Sequence, residues 1–564
     1  MYSRSMALDR ITVSVIQHRL ESIVQEMGEA MLRTAYSQIL NSSRDFSTAV
    51  FDGEGRLAAQ AEHVPIHVGA LPWAVKAVAD YFKGRIRPGD MYLLNDPYHG
   101  GNHLPDLTAL LPVFVGERLA FWSINRAHQS DIGGATHGAY NPGATEIWQE
   151  GIRITPLKLY DAGVLRDDVM DMIATNVRHP RDFLGDLRAM MGSARVGERR
   201  LLKLIDDYGA ETATEAVGEV LDSAERQSRA CIREWKDGVY TGLSVLDDDG
   251  HGIENIRLHA KVTKKGDSLI VDLTGCDPQV IGFVNSSYPN TVSAVHMALA
   301  YLIDPRIPKN EGTFRPVEIR AKQGTIVWPN PPAPVTLATN HCAQEVAEAV
   351  IKALSRACPD RALAGWSRRF RIAISGKNPR ANGRPFIWHL FHARGGGGAS
   401  SAGDGWETAG EGQAAGGIKF GSVEVAEARF PLFFERHEFR PDSFGDGQFR
   451  GGVGSVLTLR METTESAKGN TAGDGVRYPS YGILGGKDGL PHRYVLVSGG
   501  KRRVLKTKEV GVPIPPGAVF DIVSAGGGGW GKPSRRTAAA RAADIENGFV
   551  TRKNGARAKH ARRR

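Results

Sequence analysis

Two short polar loops of this 564-residue chain contain residue types that could bind a metal ion. The first loop, residues 95–106 (NDPYHGGNHLPD), contains His103 and Asp106 among glycines and prolines. The second, residues 125–134 (NRAHQSDIGG), contains His128. A predicted β-hairpin joins the two loops, and a hairpin of that length returns its end to near its start. We therefore expect these three side chains to converge.

A third loop, residues 42–47 (SSRDFS), adds the carboxylate of Asp45. Two imidazoles and two carboxylates are suitable ligands for a borderline divalent ion such as zinc, manganese or ferrous iron. Such an ion lowers the pKa of a bound water from about 15.7 toward 7 and so supplies a nucleophile. The spacing matches no standard metal motif. The alternative is that these are ordinary polar loop residues with hydrogen-bonded histidines.

Three further residues near these loops are candidates for catalysis. Arg126, two positions before His128, could attract a phosphate or a substrate carboxylate through charge-assisted hydrogen bonds. Asp131 could orient an imidazole or accept a proton. Glu150, in the stretch 145–151 (TEIWQEG), is the third candidate. The alternative for such charged residues is a structural salt bridge between loops.

The glycine-rich segment 526–532 (GGGGWGK) resembles the start of a phosphate-binding loop. Pro533, however, stands where that motif needs Ser or Thr to bind magnesium, and the sequence after it does not continue as a helix. We therefore expect that this chain does not hold ATP, and that any ATP in its reaction belongs to another subunit.

The pattern of elements around these loops predicts a mixed α+β fold, with helical N-terminal and middle segments and a β-rich, glycine-rich C-terminal part. A long helix is expected from an N-cap at Asp9 to Leu40, and helices again over residues 165–235. Thirty-two of the 66 glycines lie between Gly395 and Gly531, which indicates tight turns or close backbone contacts. The predicted regions are an N-terminal α/β metal-site region (1–160), a helical region (161–237), a mixed α/β region (238–369), a glycine-rich β region (370–533) and a basic, disordered tail (534–564).

The net charge of +9 is concentrated in the tail. Residues 535–564 contain ten Lys or Arg and two acidic residues, so the rest of the chain is nearly neutral. A solvated extension that contributes nothing to a core is the expectation; a nucleic-acid-binding protein that uses this tail is the alternative from another class. No apolar stretch is long enough to cross a bilayer, and no secretory pattern is visible. Four scattered cysteines indicate a reduced, cytoplasmic protein.

Several long segments of the chain resemble the hydantoinase B / 5-oxoprolinase family, in order and over about residues 9–536. The segments that carry the resemblance are 95–110 (NDPYHGGNHLPDLTAL), 126–154 (RAHQSDIGGATHGAYNPGATEIWQEGIRI), 176–192 (NVRHPRDFLGDLRAMMG), 423–454 (VEVAEARFPLFFERHEFRPDSFGDGQFRGGVG) and 524–536 (SAGGGGWGKPSRR). This family includes B subunits of ATP-dependent hydantoinases and caprolactamase, part of 5-oxoprolinase, and alpha-type subunits of acetone carboxylase.

The resemblance implies one half of a two-subunit enzyme. A hydantoinase A-like ATPase partner would phosphorylate the substrate, and this chain would complete hydrolysis of a hydantoin or 5-oxoproline-like lactam at one divalent metal ion. The metal ligands of the family fall on Asp45, His103, Asp106 and His128. An acetone- or acetophenone-type carboxylase subunit is the alternative within the family. The chain departs from many relatives at Gln129 and Ser130, where they have His-Ala, which leaves the exact substrate open.

Overall fold

A computed structural model describes residues 8–61, 63–419 and 421–551 of the chain. These residues form helices and several sheets, which confirms the mixed α+β prediction. The helices are α1 (Arg10–Thr34), α2 (Gln38–Asn41), α3 (Pro65–Val68), α4 (Leu71–Tyr81), α5 (Asp167–Thr175), α6 (Pro180–Tyr208), α7 (Ala210–Arg233), α8 (Tyr288–Leu302), α9 (Glu311–Phe314), α10 (Ala343–Leu354), α11 (Val423–Arg429) and α12 (Ala538–Glu546).

The strands of the N-terminal half are β1 (Phe46–Asp52), β2 (Leu57–Ala61), β3 (Met91–Leu94), β4 (Asp106–Val115), β5 (Arg118–His128), β6 (Leu157–Asp161), β7 (Val164–Leu165), β8 (Gly238–Asp248), β9 (Glu254–Lys265), β10 (Ser268–Asp272) and β11 (Val317–Arg320). Those of the C-terminal part are β12 (Phe370–Asn378), β13 (Arg384–His389), β14 (Leu432–Arg440), β15 (Gly454–Met461), β16 (Ala467–Gly473), β17 (Arg493–Ser498), β18 (Lys501–Val504), β19 (Lys508–Ile514) and β20 (Val519–Val523).

The first sheet is antiparallel, with the strand order β2-β1-β5-β4-β3-β6-β7. Helices α1 and α6 pack against one face, and α4 covers part of the other. Residues alternate between the two faces along β5: Trp122 and Ile124 belong to the core under α4, and Phe121 and Ala127 to the core under α1 and α6. Arg126 and His128 therefore lie on the α4 face, beyond its apolar part.

Helix α1 begins as predicted, because the Asp9 carboxylate accepts the backbone N–H groups of Ile11 and Thr12 at 3.0 Å. It ends earlier than the predicted Leu40. The backbone N–H groups of Tyr36 and Ser37 are held instead by the carboxylate of Asp186 on α6, at 2.7 and 3.0 Å. This contact from a distant helix separates α1 from the short α2 and leads the chain into the loop before β1.

Three further sheets lie in the rest of the described chain. The four-stranded sheet β11-β10-β9-β8 packs against α10 and contains the β9–β10 hairpin, which turns at residues 266–267. The C-terminal part consists of two sheets, β13-β12-β16-β19 and β14-β15-β20-β17-β18, which share an apolar core. Within the described part of the chain, no helix is both long and apolar enough to cross a membrane.

The glycine run at residues 526–531 is a site of close backbone packing. A Cβ atom on Gly527 would lie 1.9 Å from the carbonyl oxygen of Gly397, and one on Gly528 would lie 1.9 Å from that of Tyr481. All six backbone N–H groups of the run donate to backbone carbonyls at 2.8–3.0 Å. These amides are therefore not available to a phosphate, unlike those of a phosphate-binding loop.

The segment predicted as a disordered tail, 534–564, is folded over the part that the structure describes. Residues 538–546 form α12, and the buried Arg536 pairs with Asp404 and Asp544 at 2.7 and 2.8 Å. These ion pairs hold the segment in place. The prediction of disorder rested on its few apolar residues and did not account for charge pairing. Residues 552–564, which contain most of the basic residues, lie outside the described part.

Candidate metal centre

Three strands of the first sheet bring the predicted metal ligands together. Asp106, the first residue of β4, pairs directly with His128, the last residue of β5. On the other side of β5, Phe46 pairs with Ala127, so that Asp45 lies beside His128 and its carbonyl accepts the His128 N–H at 3.0 Å. The predicted hairpin thus converges as expected, and its strands β4 and β5 extend far enough to include Asp106 and His128.

His103, Asp106 and His128 form a compact, buried donor group. Their ligand atoms all lie within 4.8 Å of one another. Asp106 Oδ1 lies 2.9 Å from both His103 Nε2 and His128 Nδ1, and its Oδ2 accepts a hydrogen bond from Asn102 at 2.7 Å.

The hydrogen bonding of His103 indicates that a cation fits between these groups. Its Nδ1 donates to the carbonyl oxygen of Thr336 at 2.6 Å, so in the neutral imidazole Nε2 carries a lone pair. This lone pair and Asp106 Oδ1 are both acceptors, they lie 2.9 Å apart, and Nε2 has no hydrogen-bond partner among the described residues. Two acceptors at this distance repel each other unless a positive charge lies between them, and imidazole with carboxylate suits a divalent transition metal.

Asp45 and His67 lie at the edge of this donor group. His67 Nε2 is 3.2 Å from Asp106 Oδ2 and 3.5 Å from Asp45 Oδ1, so it lies between the two carboxylates. Burial lowers the pKa of His67, which favours its neutral form. The sequence analysis did not identify His67. The available signal was a single histidine within the apolar stretch 64–68 (VPIHV), which folds as the short helix α3.

Arg126 lies beneath the donor group and is fully buried. Its Nε donates to Thr108 Oγ1 at 2.8 Å, and its Nη1 donates to the backbone carbonyl of His67 at 3.0 Å. Burial lowers its pKa to about 10, and the nearby Asp106 opposes this shift. Arg126 therefore supports His67 and places a positive charge beside Asp106.

Glu150 is connected to His103 through the backbone of a neighbouring loop. Its carboxylate accepts the N–H groups of Val335 and Thr336 at 2.9 and 2.8 Å, and the Thr336 carbonyl accepts the His103 Nδ1 proton. Burial raises the pKa of Glu150 to about 7. This chain of contacts fixes the orientation of the His103 ring.

Asp131 lies in a salt bridge between loops. Its carboxylate accepts hydrogen bonds from the backbone N–H of Arg178 at 2.8 Å and from the Arg178 guanidinium at 3.1 Å. Asp131 therefore forms the kind of salt bridge between loops that the sequence analysis gave as the alternative. A role of Asp131 in proton transfer remains a prediction.

A pocket of about 330 Å³ opens near the end of β5. Ser130, two residues after His128, and His389 line it, and His389 Nε2 lies 3.4 Å from the Ser130 carbonyl. Four arginines and one acidic residue also line the pocket: Arg178, Arg181, Arg384, Arg429 and Asp182. The positive lining favours an anionic ligand.

Comparison with known proteins identifies related chains over nearly the whole length. The chain is 35% identical over 555 residues to the beta subunit of the caprolactamase of Pseudomonas jessenii, covering 96% of this chain and 94% of that one. It is 30% identical over 563 residues to the B subunit of a putative D-/L-hydantoinase of Pseudomonas sp. (strain NS671), covering 97% and 94%.

The crystal structure of the ATP-dependent caprolactamase from Pseudomonas jessenii superposes with a TM-score of 0.91 at 34% identity, covering 98% of this chain and 96% of that chain. The family model described as Hydantoinase B/oxoprolinase matches residues 9–533. The protein is therefore a member of the Hydantoinase B/oxoprolinase family.

Proposed function

We propose that this chain is the metal-dependent B subunit of an ATP-dependent cyclic amidohydrolase. In this proposal a separate A-type ATPase subunit phosphorylates the carbonyl oxygen of a hydantoin or 5-oxoproline-like lactam, and this chain completes the opening of the ring. The relatives named for caprolactam and hydantoin support the substrate class. Both relatives are named as one subunit of an enzyme, which supports the need for a partner.

The observation that carries the proposal is the buried donor group in which two imidazole nitrogens have no hydrogen-bond partner among the described residues. His103 Nε2 and His128 Nε2 have no hydrogen-bond partner within the described residues, and both rings belong to the group around Asp106. We propose that Asp45, His103, Asp106 and His128 hold one divalent ion: zinc, manganese or iron. When bound, such an ion supplies Lewis acidity and a hydroxide-like nucleophile near neutral pH.

The division of labour follows from the chemistry of an amide. Its carbonyl carbon is a poor electrophile, and its nitrogen is a poor leaving group. Phosphorylation of the oxygen in the partner activates the carbon, and ATP is then needed only there. The backbone N–H groups of residues 526–531 support this assignment. This segment resembles the start of a phosphate-binding loop in sequence, but its N–H groups donate to backbone carbonyls and cannot bind phosphate.

The surrounding residues position the ligands in this proposal. His67 donates its Nε2 proton toward Asp106 or Asp45, which orients both carboxylates. Glu150 holds the Thr336 backbone, which fixes the His103 ring with Nε2 directed toward Asp106. Such outer contacts commonly change metal affinity or activity by about 10- to 100-fold. The pocket beside Ser130 and His389 gives the substrate a route to His128.

The test is reconstitution with an A-type ATPase partner. ATP-dependent ring opening is measured with hydantoin, 5-oxoproline and caprolactam for the wild-type chain, H128A and the matched control H99A, whose side chain is half-exposed in the same loop as His103. The wild type and H99A should open one of these rings, H128A should be inactive, and the chain alone should not hydrolyse ATP. Ring opening that persists in H128A would contradict the proposal.

The same assay decides between the alternatives. Consumption of bicarbonate with a ketone such as acetone, without opening of any ring, would indicate a carboxylase subunit instead. Salt-sensitive binding to nucleic acid that is lost on deletion of residues 552–564 would favour the nucleic-acid hypothesis. Arg536 no longer supports that hypothesis, since it is buried in pairs with Asp404 and Asp544.

A further inference from the structure

Three arginines are buried together near Tyr140, whose ring also lies beside His128. The side chains of Arg369, Arg371 and Arg394 belong to residues that are only 7%, 4% and 5% exposed. Arg369 and Arg371 extend from the start of β12 two positions apart, and their guanidinium carbons lie 4.6 and 5.6 Å from the ring of Phe391. We call these three residues the arginine cluster.

The contacts of the arginine cluster include one carboxylate. Arg369 Nε pairs with Glu411 Oε1 at 2.5 Å. Arg371 donates to the hydroxyl of Tyr140, and Arg394 donates to the backbone carbonyls of Ala409 and Ile418. The Nη1 atom of Arg369 and the Nε atom of Arg371 are buried without a hydrogen-bond partner in the described parts of the chain.

Buried positive charges lie close together in this cluster. Among the described residues, the carboxylate of Glu411 acts on all three guanidinium groups, and that of Asp45 acts on Arg371 as well. Burial raises the pKa of Tyr140, which keeps that hydroxyl neutral. Burial, together with the charge of Arg371, lowers the pKa of Arg369 to about 10. Buried guanidinium groups this close repel each other, and the repulsion falls when an anion binds. The cluster therefore has the charge and the free donors of an anion site.

The position of the cluster connects it to the metal centre. The Tyr140 ring centroid lies 6.2 Å from that of His128 and 5.6 Å from that of His389. His389 also lines the arginine-rich pocket beside Ser130. An anion that enters through this pocket would thus pass His389 and lie between the arginine cluster and the metal ligands.

We propose that the arginine cluster binds the phosphoryl group of the activated substrate, with Arg369 and Arg371 supplying the hydrogen bonds to its oxygens. This inference rests on the proposed function, because a phosphorylated cyclic amide is the anion that must reach His128. Guanidinium groups match phosphate oxygens in geometry and make strong charge-assisted hydrogen bonds. Tyr140 orients Arg371, and Glu411 orients Arg369.

The experiment uses inorganic phosphate as the probe and calorimetry on the full-length chain at low ionic strength. Wild type, R371Q, R371K and the exposed control R436Q are compared, with sulfate as a second tetrahedral anion and chloride as the reference. We expect phosphate to bind the wild type and R436Q equally, and R371Q about 10- to 100-fold more weakly. R371K should bind with intermediate affinity, because lysine keeps the charge but loses the planar pair of donors.

The variant R371K keeps the proposal testable if R371Q does not fold. Absence of phosphate binding to the wild type, or equal binding by wild type and R371K, would overturn the proposal. In the reconstituted enzyme R371K should raise KM for the reaction while metal content remains that of the wild type; an unchanged KM would also overturn it.

The calorimetry is repeated on protein treated with a chelator, which separates this inference from the proposed function. Phosphate binding that survives metal removal and is lost in R371Q supports the anion site, even if no lactam is opened. Ring opening without phosphate binding would leave the amidohydrolase proposal standing and would refute the anion site.

Discussion

Among the residues that the structure describes, two buried groups contain histidine and carboxylates at distances compatible with a metal ion. One is the centre at His103, Asp106 and His128. The other, which we call the ionic cluster, consists of His341, Glu345, Glu348, Arg368, Asp474 and Lys508. Their ligand composition is similar, and both are shielded from solvent. They differ in what neutralises the carboxylates.

The ionic cluster contains its own cations. Arg368 lies 2.8 Å from Glu348, 3.3 Å from Glu345 and 3.6 Å from Asp474, and Lys508 lies 3.1 Å from Asp474. Burial lowers the pKa of Arg368, but these carboxylates outweigh that effect and raise it above its ordinary value.

The histidine of the ionic cluster, His341, has the same kinds of neighbour as His103, one backbone carbonyl and one carboxylate. Its Nδ1 lies 3.3 Å from Glu345, and its Nε2 lies 3.0 Å from the Arg369 carbonyl. In the candidate metal centre, by contrast, the guanidinium of Arg126 donates to Thr108 and to a backbone carbonyl. Residue type and spacing alone therefore do not distinguish a metal site from an ion-pair network. The distinguishing feature is whether a protein cation already lies among the carboxylates.

The largest expected effect comes from removing the cation of the ionic cluster. R368M should lower the free energy of unfolding by about 3–5 kcal/mol, because it leaves buried carboxylates without their partner. Thermal unfolding measured beside the exposed control R436M checks this. A melting temperature equal to that of the control would show that Arg368 does not neutralise the cluster.

The next effect concerns the support of His103. E150Q should weaken metal binding by about 10- to 100-fold, because one oxygen acceptor of the Val335 and Thr336 amides becomes an NH₂ group. Competition with a metal-binding dye measures the affinity, and E146Q, from the same stretch, is the control. Equal metal affinity in E150Q and the wild type would show that Glu150 does not support the metal ligands.

Glu150 also predicts a pH dependence of stability. Its pKa is about 7 in the folded chain against an ordinary value of 4.5, so the folded state binds more protons than the unfolded state between these values. Stability contributed by the protonated carboxyl is therefore lost as the pH rises from 4.5 to 7. In chelator-treated protein, the unfolding free energy of the wild type relative to E150Q should fall from pH 5 to pH 7. A constant difference would refute the raised pKa.

A smaller effect is expected at the salt bridge of Asp131. D131N should reduce stability by about 1 kcal/mol, because it weakens the bonds to Arg178, and should leave the metal content unchanged. If Asp131 also serves the reaction, turnover falls more than metal content does. The control D168N alters an exposed pair with Arg166. Metal loss in D131N would show that Asp131 supports the metal ligands, which its contacts with Arg178 do not indicate.

Local patterns were enough to predict most of the centre. The hairpin that joins the two loops sets Asp106 opposite His128, because its strands extend in register to both residues. The N-cap at Asp9 and the helices over residues 165–235 were predictable for the same reason, because they depend on residues that are close in sequence. Asp45 was a candidate because its loop is acidic, and the resemblance to a family implied the same residue; its place beside His128 depends on a third strand, through the pairing of β1 with β5.

Residues brought in from distant parts of the chain were not predictable in this way. His67 reaches the centre because α8 holds α3 in place, through a hydrogen bond from Ser293 to the Ile66 carbonyl at 2.7 Å. Arg371 lies more than 200 positions after His128 and approaches it through Tyr140. Such contacts depend on packing between sheets, for which a single sequence has no local signal.

The most direct test is the metal content of the purified chain, by elemental analysis of wild type, H128A and H99A. The wild type and H99A should each contain about one divalent ion per chain, since four protein ligands make one site. H128A should lose most of the ion and keep a melting temperature near that of metal-free wild type. Full metal occupancy in H128A would show that the buried histidines and carboxylates are only structural.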